Sequence, residues 1–126
     1  MRLARRGLLP LLLLLPALAR AQTAPRRGPH GGPVAVIDGH PVELLVSGTE
    51  LALLVTDEQG RPSSTRHASG RLTIQAGGQT STLTLRPAEP NRLVGTLPAP
   101  LPPGARLVFN GTIDHGHRGT ARYVIE

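Results

Sequence analysis

The stretch ARLVFNGTIDHGHRGTARYVIE, residues 105–126, decides the fold. Leu107, Phe109, Gly111 and Ile113 alternate with Arg106, Val108, Asn110 and Thr112. After Asp114-His115-Gly116-His117 the alternation resumes, with Gly119, Ala121, Tyr123 and Ile125 set against Arg118, Thr120, Arg122 and Val124. Period two is the signature of a strand with one buried and one solvated face, so the stretch predicts a hairpin with the histidines at its tip. Phe109 and Tyr123 are the only aromatic residues of the chain, and both lie on the apolar phase.

Working outward, the same pattern recurs in short apolar stretches separated by turn residues. Val34–Ile37 runs into Asp38-Gly39, a strong two-residue hairpin signal. Residues 42–46 follow, then Leu51, Leu53 and Val55, closed by Asp57-Glu58-Gln59-Gly60-Arg61-Pro62. Leu72, Ile74 and Ala76 precede the Gly77-Gly78 reversal, and Leu83 and Leu85 follow it. Residues 93–97 read as a weak strand. Residues 98–104 contain Pro98, Pro100, Pro102 and Pro103 and cannot sit inside a sheet. Strands at this spacing predict an all-β fold, an antiparallel immunoglobulin-like β-sandwich of about seven or eight strands, with a small barrel as the alternative.

The N-terminus reads differently. Arg2, Arg5 and Arg6 precede the apolar run of residues 8–15, and Ala19-Arg20-Ala21 resembles a cleavage site. Residues 1–21 are therefore expected to be a signal peptide, by a general or a twin-arginine route. Residues 22–32 are then a flexible lead-in, and 33–126 a single domain. The run is too short for a permanent membrane anchor, which takes about 20 apolar residues. Four of the 14 basic residues lie in this leader and none of the 14 is Lys, so the exported part carries 10 Arg against 8 acidic residues. With so small an excess and no cluster of arginines interleaved with aromatic residues to stack bases, nucleic-acid binding is not expected.

The chain has no Cys, and its one Met is the initiator, so disulfides and sulfur ligation of a metal are both excluded. No serine stands in a nucleophile-elbow context, and Asp57-Glu58 belongs to a turn. The expectation is a protein that is not an enzyme. The five histidines carry the chemistry that remains. If strands alternate strictly up and down, the turn at Asp38–His40, the connection holding His67 and the turn at Asp114–His117 share one end. Asp38, His40, Asp114, His115 and His117 then converge on a nitrogen and oxygen site suited to Zn2+, Cu2+ or Ni2+. His115 and His117, read as an extended H-x-H pair, point to one side. Histidines in turns are also ordinary solvated residues, and Asp and Gly suit a tight turn on propensity alone. Asn110-Gly111-Thr112 fits a glycosylation sequon by chance pattern.

Pro29-His30-Gly31-Gly32-Pro33-Val34, followed by His40-Pro41-Val42-Glu43-Leu44 and the turn of residues 57–62, resembles a known pattern. It is similar to the small periplasmic β domain associated with heavy-metal resistance-nodulation-division efflux adaptors and with related stand-alone exported proteins. The resemblance covers residues 29–62 and implies a periplasmic location and a role in metal handling, with His30 and His40 at matching positions. The chain departs from the adaptors in having no coiled-coil hairpin and no lipoyl-like module, so the expectation is an accessory protein. The candidate ligands are thus His30, His40, Asp114, His115 and His117, for Zn2+ or Cu2+. The expected protein is a monomer whose partner is an envelope protein of a metal-efflux system. The alternative is an interaction module without metal, docking through a strand edge or the proline-rich crossover.

Overall fold

A computed structural model describes residues 26–126; the expected signal peptide, residues 1–21, and the start of the lead-in lie outside the described residues. Eight strands follow in order: β1 Val34–Ile37, β2 His40–Ser47, β3 Glu50–Val55, β4 Ser69–Ala76, β5 Gln79–Ala88, β6 Arg92–Thr96, β7 Arg106–Asp114 and β8 His117–Val124. There is no helix among the described residues. The strands form one sheet in the order β1-β2-β3-β6-β5-β4-β7-β8, antiparallel at every pairing.

The all-β expectation holds, and of the two architectures the structure takes the barrel. A sandwich needs two sheets face to face. Here the single sheet curls until β1 and β8, its two ends, come into contact and nearly close the ring. The inner phase supplies the core: Val42, Leu53, Val55, Leu72, Leu93, Leu107, Phe109 and Ile113 are all fully buried. Aliphatic side chains fill a barrel of this size, and the only ring they must accommodate besides Tyr123 is Phe109.

Glycines on the inner phase make room for the curl. A Cβ on Gly70 would lie 2.4 Å from the Phe109 ring, and one on Gly119 would lie 2.7 Å from Ile37 Cγ2. The second contact joins β8 to β1. It sits directly below the turns that carry the histidines. Tyr123 reinforces the same seam. Its buried hydroxyl donates to the Val42 carbonyl at 2.9 Å, tying β8 to β2, and burial raises its pKa well above the ordinary phenol value.

The strand order is no simple meander, because residues 56–68 carry the chain from β3 past β6 and β5 to β4. Direction nonetheless alternates strictly along the chain, since every neighbour in the sheet is antiparallel and the order departs from a meander only by exchanging β4 and β6, both even. The crossover through the prolines reverses direction as well. Connections β1–β2, β3–β4 and β7–β8 therefore share one rim.

Candidate metal centre

Two hairpin turns build the rim. Between β1 and β2, Asp38 and Gly39 have φ of 47° and 83°, the mirror-image turn that matches strand twist. Aspartate tolerates this left-handed conformation better than most side chains do. Ile37 pairs with His40 across it. Val42 and Leu44 are buried on β2, so His40 occupies the outermost core-facing position of that strand.

Between β7 and β8, Asp114 pairs with His117 across a loop of His115 and Gly116, and the ladder slips between Thr112 and Asp114. That bulge gives β7 one extra residue, Ile113, which is fully buried. The slip brings Asp114 opposite His117 as the last pair of the hairpin. On β8, Ala121 and Tyr123 are buried, so His117 continues the core-facing phase to the rim. Closure of the barrel then sets His117 beside His40, with ring centroids 4.9 Å apart and planes tilted by 49°.

Each imidazole is oriented through Nδ1 by the same residue. His117 Nδ1 meets the Asp38 carboxylate at 2.5 Å, and His40 Nδ1 lies 3.1 Å from the Asp38 carbonyl oxygen. A carbonyl accepts only, so His40 carries its proton on Nδ1 and presents the Nε2 lone pair. That nitrogen faces Asp114 Oδ2 at 3.7 Å. One ligand atom from each of His40, Asp114 and His117 lies within 4.8 Å of the others. A tetrahedral ion with bonds of about 2.1 Å needs ligand atoms about 3.4 Å apart, so the widest pair must contract by up to about 1.4 Å to complete the set. Two imidazoles and a carboxylate with one position left open is the donor set of a zinc site that keeps a place for water or another ligand. Asp38 supplies the outer hydrogen bonds that fix the tautomers.

The charge state suits this arrangement. Asp114 is held below the ordinary carboxylate range, first by the backbone N–H of His115, which donates to Oδ1 at 2.7 Å, and further by the Ser63 hydroxyl on Oδ2 at 3.3 Å. His117 is raised above its usual value of 6.5, chiefly by its hydrogen bond to Asp38. In the absence of an ion, Asp38 and Asp114 thus face a His117 imidazole that readily takes a proton, and a cation replaces that proton.

Of the sequence-expected ligands, the structure brings together His40, Asp114 and His117. His115 turns away. Gly116, at φ 72°, breaks the extended backbone that the H-x-H reading assumed, and the His115 ring packs on His67 with centroids 4.5 Å apart. His30 belongs elsewhere. Its ring Nδ1 and its backbone N–H both meet the Glu43 carboxylate at 3.0 Å, and the Gly32 N–H donates to the same carboxylate at 2.8 Å. Glu43 is buried beneath residues 26–32, which form a turn across β2. A Cβ on Gly28 would fall 2.3 Å from that carboxylate, and one on Gly32 would fall 2.0 Å from the Leu44 carbonyl. His30, Gly32 and Glu43 thus have a packing reason of their own, while Gly31 is held by its left-handed φ of 87°. The parity reading puts His67 at the rim but assigns it no partner, because its pairing with His115 depends on loop conformation that no periodicity reports.

Comparison of the chain with protein-family models, with curated proteins and with solved structures finds no match.

Proposed function

We propose that this chain is an exported accessory protein that binds a divalent transition metal, Zn2+ or Cu2+, at the barrel rim through His40, Asp114 and His117. The observation that carries the reading is the convergence of those three side chains from two hairpins, with Asp38 holding both imidazoles by Nδ1. An open coordination position fits a protein that takes up and surrenders its ion. The leader-like N-terminus and the resemblance of residues 29–62 to the β domain of metal-efflux systems support a periplasmic place beside such a system, as a buffer or accessory without catalytic activity.

A second reading, a metal-free module that docks an envelope protein, is favoured by the exposed large hydrophobics Val36 and Val124, on the two strands that end the sheet. Isothermal titration of the purified protein with Zn2+ and Cu2+, beside a His40→Ala/His117→Ala double variant, separates the two. Stoichiometric binding at micromolar affinity or better, its tightest phase lost in the variant, supports the metal reading. No heat, or heat indifferent to those histidines, leaves the docking module.

A further inference from the structure

We infer that the His67/His115 pair is a second, weaker cation site on the same rim, with Cu2+ its preferred ion. The pair stands on residues that the three-ligand site does not use. His67 comes from the β3–β4 connection and His115 from the β7–β8 loop, 48 positions away along the chain. Their rings nonetheless meet at 4.5 Å between centroids, tilted by 47°. Both are exposed, so burial does not account for the contact.

The backbone on each side is anchored, which makes the pairing a property of the fold. Flanking His67, Thr65 is fully buried, its hydroxyl donates to the Arg92 carbonyl at 2.8 Å, and its N–H reaches the Pro90 carbonyl. On the other side Ala68 is buried, and its N–H donates to the Thr65 carbonyl at 2.9 Å. His115 sits in a two-residue loop with its N–H on Asp114 Oδ1. Two imidazoles presented on rigid turns lose little freedom on chelating an ion.

Two nitrogen ligands do not complete the tetrahedron of a structural zinc site. They suffice for two corners of the tetragonal nitrogen and oxygen field that Cu2+ prefers, with water in the other positions, and Cu2+ heads the affinity order for such donors. The site is therefore weaker than the rim centre and more open, and its vacant positions admit the ligands of an acceptor. Ser63, on the same connection as His67, bonds Asp114 Oδ2, the oxygen that faces His40, so the two sites share a mechanical link.

Copper titration followed by electron paramagnetic resonance tests this in three proteins: wild type, His67→Ala, and His40→Ala/His117→Ala. Wild type is expected to bind two ions with distinct affinities. His67→Ala, an exposed substitution that spares the fold, loses only the weaker, and the double variant retains a nitrogen-coordinated signal. If His67→Ala binds the same number of ions with the same affinities as wild type, the second site does not exist. If the double variant alone leaves binding unaltered, the three-ligand reading fails while this one stands.

Discussion

Adding one methyl group at Gly119 should disable the metal centre without touching a ligand. The Cβ of Gly119→Ala would lie 2.7 Å from Ile37 Cγ2, where ordinary contact begins at 3.4 Å, so β8 and β1 must part by about 0.7 Å. Ile37 is only 2 % exposed and has no free volume to move into. Its neighbour Asp38 holds His117, which stands two residues before Gly119. Overpacking of this kind costs about 1–3 kcal/mol. Relief comes from opening the seam, and an ion that draws His117 back toward His40 must restore the strain. The metal affinity should then fall by about 5- to 150-fold. The assay is zinc titration with parallel thermal unfolding. Gly95→Ala serves as the control: its Cβ would meet Leu85 Cδ2 at 2.9 Å, a milder clash with the end of a side chain, and Gly95 pairs with Leu51 near the other end of the barrel. Wild-type affinity in Gly119→Ala, or an equal loss in Gly95→Ala, would refute the claim that closure of the seam assembles the site.

Asp38→Asn keeps a residue that tolerates the left-handed turn but removes the carboxylate that orients His117. Affinity should fall about 10- to 100-fold with the ligands intact, read by competition with a chromophoric chelator. Because the pKa of His117 is raised above 6.5 by Asp38, metal binding should weaken as pH falls through that raised value, while Asp114, held low, stays ionised throughout. For the metal-free protein the sign is opposite. The His117–Asp38 pair contributes its stability below pH 6.5, loses it as pH rises through the raised value, and urea unfolding at several pH values should show the trend vanish in Asp38→Asn. Glu43→Ala leaves the His30 and Gly32 N–H groups without their acceptor, so stability should drop by about 1–3 kcal/mol and amide exchange at both should accelerate. Metal affinity should be unchanged, since His30 and Glu43 lie outside the rim.

Much of this was legible because it depends on local pattern. Period two exposes the inner faces of β7 and β8, and Asp38-Gly39 is a turn that few other dipeptides form so readily. Strict reversal at each connection places His40, His67 and His117 at one rim even though the strand order is not that of a meander. The rest depends on distance across the barrel. Whether eight strands make two sheets or one rests on contacts such as Gly119 against Ile37, between residues 82 positions apart. The extended reading of His115 and His117 failed because a two-residue loop with left-handed Gly116 separates them, and periodicity is silent inside a turn. His30 is a candidate ligand only through the resemblance, yet its neighbours are a buried carboxylate and two glycines whose missing side chains let the backbone close over it.

The most direct test of the central claim is a long-range 1H–15N spectrum of the histidine side chains, taken before and after one equivalent of Zn2+. Nε2 of His40 and of His117 should shift together to metal-bound values, with Nδ1 of both still protonated and His30 unmoved. A spectrum in which His30 moves first, in which His40 and His117 bind through Nδ1, or in which no histidine responds, would contradict a metal centre held by the two hairpins of the rim.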